Sequence, residues 1–148
     1  MRIGRESAYA IEGLLALAVK PLGTVMLLRD IASSRNVPRS FLTKIFQKLS
    51  RSSIVVSSRG AVRGYALARG KTEISLKEVL IAIEGPDFFN HCILWSDRCV
   101  DSNPCALHNR WKKVRDGSLN KLMERTTLAD LAKANNPPAR LYEIMRER

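Results

Sequence analysis

Three cysteines and a histidine fall in one short stretch, Cys92-x6-Cys99-x5-Cys105-x2-His108. Thiolates are ligands for soft and borderline metals, and an imidazole near the last of them completes a set of four donors. The chemistry suits an iron–sulfur cluster or a zinc ion, and the spacing does not separate the two. An odd cysteine count, in a chain whose start shows no signal-peptide pattern, favours metal or redox chemistry over structural disulfides. The other histidine, His91, reads as a surface group, and Trp95 as a side chain shielding the site.

A second chemical feature is charge. Residues 1–71 hold 13 Lys/Arg against three acids, Glu6, Glu12 and Asp30, whereas residues 72–148 hold 12 against 11. A basic first half followed by a nearly neutral second half fits a nucleic-acid-binding unit followed by an assembly or sensing unit. No phosphate-cradling glycine loop, catalytic acid pair or nucleophile with a neighbouring base stands out, so no enzyme is expected. The apolar run Leu14–Val19 is too short to span a bilayer and follows Glu12, which predicts a cytoplasmic protein without a membrane partner.

Residues 6–19, rich in Ala, Leu, Ile and Glu, form a first predicted helix that ends at Pro21 and Gly23. Leu27–Ser34 is a short second helix, Asn36-Val37-Pro38 a turn, and the following stretch to about Ser50 a third helix. Its apolar stripe is Phe41, Leu42, Ile45 and Leu49. Two short helices across a tight turn, the second basic, make a helix-turn-helix. Ile54-Val55-Val56 and Tyr65-Ala66-Leu67 are strand-like, and Gly60 and Gly64 bracket a reversal carrying Arg59 and Arg63, which makes a hairpin wing.

Ser75 with Glu78 is a capping box opening a helix to Ile83, stopped by Gly85-Pro86. Residues 86–105 lack a period and are expected to be a loop organised by something other than its own apolar burial. Leu107, Trp111, Val114, Leu122 and Met123 mark a long helix to about Arg125, despite Gly117. That stripe is the expected dimer seam. Thr127–Asp130 caps a short last helix. The expected organisation is a DNA-binding unit at 1–85, a cysteine sensor loop at 86–106, dimerisation and C-terminal helices at 107–135, and a tail at 136–148.

Taken in order, several segments resemble the winged-helix Rrf-type transcriptional regulators, a family with iron–sulfur cluster and nitric-oxide sensors among its members. They are Val37-Pro38-Arg39-Ser40-Phe41-Leu42, Val56-Ser57-Ser58-Arg59-Gly60, Gly64-Tyr65-Ala66-Leu67-Ala68 and Ile74-Ser75-Leu76-Lys77-Glu78-Val79. The three cysteines and Thr127-Leu128-Ala129-Asp130-Leu131 complete the likeness, which spans about 1–135. The wing tip departs from it. The family's Arg-Gly-Pro-Gly-Gly-Gly-Tyr is here Arg59-Gly60-Ala61-Val62-Arg63-Gly64-Tyr65, stiffer and more basic.

The resemblance implies a mainly α fold with a small β-hairpin wing and a long dimerisation helix. It implies a homodimer on a near-palindromic double-stranded operator, most often as a repressor. Ser40, Thr43 and Lys44 would read bases, with Arg39 and Gln47 beside them, while Arg59 would enter the minor groove and Arg2 and Arg5 touch phosphates. Lys48 reads as a solvated group that meets only phosphates. The resemblance tilts the metal choice to an iron–sulfur cluster on Cys92, Cys99 and Cys105; the alternative is a zinc-stabilised or thiol-switch DNA-binding regulator without a cluster. With His108 as fourth ligand the cluster is of the [2Fe–2S] type, although the Cys92–Cys99 spacing is one residue longer than the family's. With an acid from the partner's first helix it is of the [4Fe–4S] type. Ala8 occupies the expected place for that acid, leaving Glu6 or Glu12. On balance [2Fe–2S] is favoured over [4Fe–4S].

Overall fold

The computed structural model describes residues 3–95 and 98–134. Arg2 and the tail 136–148 lie outside the described residues. The fold is mainly helical with one antiparallel hairpin.

Helix α1 (Arg5–Ala18) is buried from Ser7 to its end and forms the axis of the core. Its near-continuous Ala, Leu and Ile content explains this, because a helix apolar on all sides must be covered on all sides. It packs against α2 (Leu28–Arg35), α3 (Arg39–Arg51), α4 (Leu76–Glu84) and α7 (Leu128–Lys133). Glu84 at the far end of α4 holds its start, accepting from the Gly4 amide at 2.9 Å and the Ser7 hydroxyl at 2.6 Å.

The turn between α2 and α3 follows from Asn36, which takes the left-handed conformation (φ 53°) that asparagine tolerates better than most residues. Pro38 then caps α3 in an extended conformation. The buried face of α3 is Leu42, Ile45, Phe46 and Leu49, at helical spacing. One member of the predicted stripe is therefore corrected. Phe41 is 40% exposed and lies against the Tyr9 ring, 5.3 Å between centroids, while Phe46 takes the core position. Gly13 makes room for it, since a Cβ there would come within 2.7 Å of the Phe46 ring.

Strands β1 (Val55–Ser58) and β2 (Gly64–Leu67) pair with Val55 opposite Leu67 and Ser58 opposite Gly64. Met26 and Tyr65 exchange two backbone hydrogen bonds of 2.9 Å, tying the wing to the residues that lead into α2. The Ser58 hydroxyl donates to the Val62 carbonyl at 2.6 Å and stiffens the tip.

Both capping boxes form as the sequence predicts, Ser75 with Glu78 on α4 and Thr127 with Asp130 on α7. The two caps lie side by side, joined by Leu76 N–H to Thr126 O (2.7 Å) and Leu128 N–H to Ile74 O (3.0 Å). Leu128 thereby reaches the main core. The predicted long helix is α5 (His108–Val114), a π turn (Arg115–Leu119) and α6 (Asn120–Arg125). Gly117 sits in the π turn, where nothing lies within 4 Å of the place a Cβ would take, so packing does not demand glycine there. The 86–105 loop is organised in part by its own apolar burial, contrary to expectation: Phe88 and Phe89 pack edge to face at 5.1 Å and are buried with Leu80. Among the described residues no helix is long and apolar enough to cross a membrane.

Among the described residues, a buried acid of the core is paired with a half-buried arginine. Glu12, in mid-α1, faces Arg35 of α2 at 3.2 Å, with one carboxylate oxygen unpartnered. Burial pushes the Glu12 carboxyl above its ordinary range, and Arg35 only partly opposes this. Between the ordinary and the raised value the folded chain keeps a proton that the unfolded chain has lost, so stability falls as pH rises across that window. The lowered carboxyls of Asp101, Asp116 and Asp130 act in the opposite sense at the acid end, so the Glu12 contribution is read as a difference between two proteins. Urea midpoints of the parent, relative to those of Glu12→Gln, should fall as pH rises from 4 to 7, and a constant difference would remove Glu12 as a cause.

Candidate nucleic-acid interface and thiol loop

The exposed face of α3 carries Arg39, Ser40, Thr43, Lys44 and Gln47, all solvent-facing. Because Leu42, Ile45, Phe46 and Leu49 claim the opposite face, these five share one side by helical geometry. The Thr43 hydroxyl turns back toward the Arg39 carbonyl at 3.5 Å. Arg59 and Arg63 project from the exposed wing tip. Among the described residues, Arg39, Lys44, Arg51, Arg59 and Arg63 have no acidic partner. Lys48 differs. It pairs with Glu6 at 2.7 Å and reaches the Ile83 carbonyl at 3.3 Å, so it braces α3 against α1 and α4.

A groove of about 440 Å³ separates α3 from the wing, lined by Gln47, Ser50 and Arg51 on one side and Ser57, Ser58 and Arg59 on the other. Ser50 and Arg51 join this lining without being among the residues expected to contact DNA. Arg51 lies seven residues beyond Lys44, two turns along the same face, and that spacing is the signal that points to it.

The thiol loop brings its four donors together two at a time. The Cys92 and Cys105 sulfurs are 3.7 Å apart, and the Cys99 sulfur is 3.3 Å from His108 Nδ1. Among the described residues no three His, Cys, Asp or Glu side chains converge on a single metal-sized point. The backbone places each pair. Cys99 N–H donates to the Asn90 carbonyl at 2.7 Å, and His108 N–H to the Cys105 carbonyl at 3.0 Å. The backbone amides of Leu94 and Trp95 hold the Cys92 thiol below its usual range.

His108 is itself held. Its Nε2 lies 2.7 Å from Asp101, and Lys112 grips both oxygens of that carboxylate at 2.9 Å. Lys112 and His108 together hold the Asp101 carboxyl down to about 2. Arg115, buried two helical turns along from His108, pairs with Asp116 at 2.7 Å and leaves Nη1 unpartnered; the Asp116 carboxylate raises its pKa, and the nearby Cys99 adds to this. Trp95 is exposed at the loop tip, so it does not cover the thiols within the chain. His91 is exposed as expected.

Of the two acids considered as ligands from a partner's first helix, Glu12 is turned into its own core against Arg35 and Glu6 is bound to Lys48. The seam residues divide. Leu107, Val114 and Leu122 are exposed, the last two at 51% and 60%. Met123 packs on the Leu80–Phe88–Phe89 cluster, and the Trp111 indole donates to the His91 carbonyl at 3.2 Å.

A family model described as Rrf2, iron-dependent transcriptional regulator, matches residues 3–134. The chain belongs to the Rrf2 family of transcriptional regulators. A candidate HTH-type transcriptional regulator of Mycobacterium tuberculosis is 36% identical over 132 residues, covering 89% of this chain and 81% of its own. The HTH-type transcriptional regulator IscR of Yersinia pestis is 25% identical over 131 residues, covering 88% and 79%. The crystal structure of the oxidized form of Staphylococcus aureus CymR superposes with a TM-score of 0.69 at 26% identity, covering 92% of this chain and 99% of that one. The Rrf2 assignment makes the helix-turn-helix and hairpin a DNA-binding winged helix, with α3 as its second helix.

Proposed function

We propose that this Rrf2 chain is a cytoplasmic, homodimeric repressor that binds a near-palindromic operator under the control of an iron–sulfur cluster on Cys92, Cys99, Cys105 and His108. The DNA-binding unit is 1–85, the sensor loop 86–106, and the assembly helices 107–135. Arg39, Ser40, Thr43, Lys44 and Gln47 face the major groove, and Arg59 and Arg63 follow the backbone and minor groove. The unpaired cations of α3 and the wing favour this reading, because each phosphate they neutralise releases a counterion.

The thiol geometry carries the cluster part. Two thiolates on one tetrahedral metal with bonds of about 2.3 Å stand about 3.7 Å apart. Cys92 and Cys105 already have that separation, and Cys99 with His108 makes a second pair of similar size. Two pairs suit the two irons of a [2Fe–2S] cluster better than a single zinc, which needs all four donors at one point. When bound, such a cluster supplies a centre that responds to iron supply, oxidants or nitric oxide. Asp101 and Lys112 keep His108 Nδ1 turned toward Cys99.

The loop is packed against the reader. Phe88, Phe89 and Met123 rest on Leu80 of α4, and α4 packs on α1 and α3. Ordering the loop thus bears on the attitude of α3, the two-state element that the site would bias.

Anaerobic purification tests the reading. Coloured protein with iron and acid-labile sulfide is expected, and its affinity for a promoter fragment should fall steeply with salt. Colourless protein with stoichiometric zinc would replace the cluster by a structural metal. No salt-sensitive affinity for any promoter fragment, loaded or stripped, would end the regulator proposal itself.

Dimerisation rests on the exposed apolar side chains of Leu107, Val114 and Leu122. Val114→Glu with Leu122→Glu places two carboxylates on that face. Analytical ultracentrifugation should then show a monomer with an unchanged circular-dichroism spectrum, and operator affinity should drop by on the order of tenfold or more, since half of the paired contacts are lost. A double variant that stays dimeric would place the seam elsewhere.

A further inference from the structure

We infer that the metal-free thiol loop is an oxidant-sensitive site in which Cys92 and Cys105, and not Cys99, close into a reversible disulfide. The observation is the unequal pairing of the three thiols. The Cys92 and Cys105 sulfurs are in contact at 3.7 Å, and all three cysteines are free. A disulfide needs sulfurs about 2.05 Å apart, so side-chain rotation of roughly 0.8 Å on each side closes the gap.

Cys99 is kept out of this pair on two sides. Its amide is fastened to the Asn90 carbonyl at 2.7 Å, in the segment where His91 and Arg98 bridge. Its sulfur rests on His108 Nδ1 at 3.3 Å, and His108 is locked through Asp101 to Lys112. Twelve residues separate Cys92 from Cys105 but only six separate Cys92 from Cys99. Chain entropy alone would favour the shorter closure, so selectivity for the longer one is a signature of the folded loop.

The reaction balances with a hydroperoxide as oxidant. Two S–H bonds break and one S–S bond forms, and the two protons and two electrons released cleave the O–O bond. Hydrogen peroxide yields two waters. A dithiol reductant reverses the product by exchange. On the cluster reading proposed above, closure removes two of the four donors and leaves Cys99 and His108 unable to hold the centre alone.

The test uses the full chain, stripped of metal and reduced, then treated with hydrogen peroxide, quenched with iodoacetamide and digested without reductant. Mass spectrometry should find the Cys92–Cys105 peptide, lacking two hydrogens, in at least about tenfold excess over either Cys99-containing disulfide; statistical closure would favour the shorter Cys92–Cys99 and Cys99–Cys105 loops instead. Cys99→Ser should keep the cross-link, and dithiothreitol should restore all thiols. A dominant Cys99 disulfide, an even mixture, or no intramolecular disulfide would overturn the inference. Iron and sulfide reconstitution before and after oxidation separates the two proposals. A cross-link as described in a chain that takes up no cluster when reduced would sink the cluster reading and leave the thiol switch standing.

Discussion

Gly64→Ala is expected to lower stability by on the order of 3–5 kcal/mol and to abolish operator binding. Gly64 opens β2 with φ at 139°, a conformation that side chains rarely adopt. A Cβ there would lie 2.2 Å from the Met26 carbonyl oxygen and 2.6 Å from its carbon. Those are backbone atoms, and they belong to the residue that exchanges two hydrogen bonds with Tyr65. Relief therefore means pulling the wing off the body of the domain, with Arg59 and Arg63 displaced together. Chemical denaturation measures the first effect and fluorescence anisotropy with labelled promoter DNA the second. Gly60→Ala is the internal control. Nothing lies within 4 Å of a Cβ at that position, and its φ is not positive, so its stability should stay within about 0.5 kcal/mol of the parent. Comparable losses in both variants would mean that the tip, and not the Met26 contact, sets the cost.

Arg59→Ala is expected to weaken operator binding by about 5- to 150-fold, the range for losing one guanidinium at a base edge or narrow groove. Arg59 is exposed beside the 440 Å³ groove and, among the described residues, has no acid competing for it. A change confined to phosphate contact would weaken all sequences alike and reduce the salt slope by about one. Groove insertion would in addition erase the preference for A·T-rich flanks, because the narrow groove concentrates negative potential. Arg59→Lys should recover only part of the loss, since a lysine keeps the charge without the planar fork. Binding isotherms at four or five salt concentrations distinguish these outcomes, and unaltered affinity would exclude the wing tip from the interface.

The parts of this protein that were legible in advance are those whose cause is local. Ser75 with Glu78 and Thr127 with Asp130 announce helix starts because a side chain three residues from the cap reaches the cap's own amide. The hairpin was legible from a β-branched run, two glycines and a second apolar run, all within fourteen residues. The unequal charge of the two halves and the clustered thiols likewise needed no coordinates.

Other features depend on partners distant in sequence. Phe41 and Phe46 both fit an amphipathic α3, and the choice between them was made by Gly13 on α1, 33 residues upstream of Phe46. Glu12 and Glu6 looked equally available as ligands until Arg35 and Lys48 were placed against them. Leu122 and Met123 stand together in the predicted stripe, yet neighbours in a helix point about 100° apart, and α4 with the Phe88–Phe89 turn covers Met123 while Leu122 stays exposed.

The residue order by itself therefore determined the winged-helix class, the basic exposed face of α3 and the presence of a soft-donor loop, since composition and short-range hydrogen bonding suffice for these. Only the tertiary structure decided which thiol meets which, because Cys99 is assigned to His108 by a backbone anchor at Asn90 and a carboxylate at Asp101. Spacing counts the residues between two sulfurs, whereas chemistry depends on the path the chain takes between them.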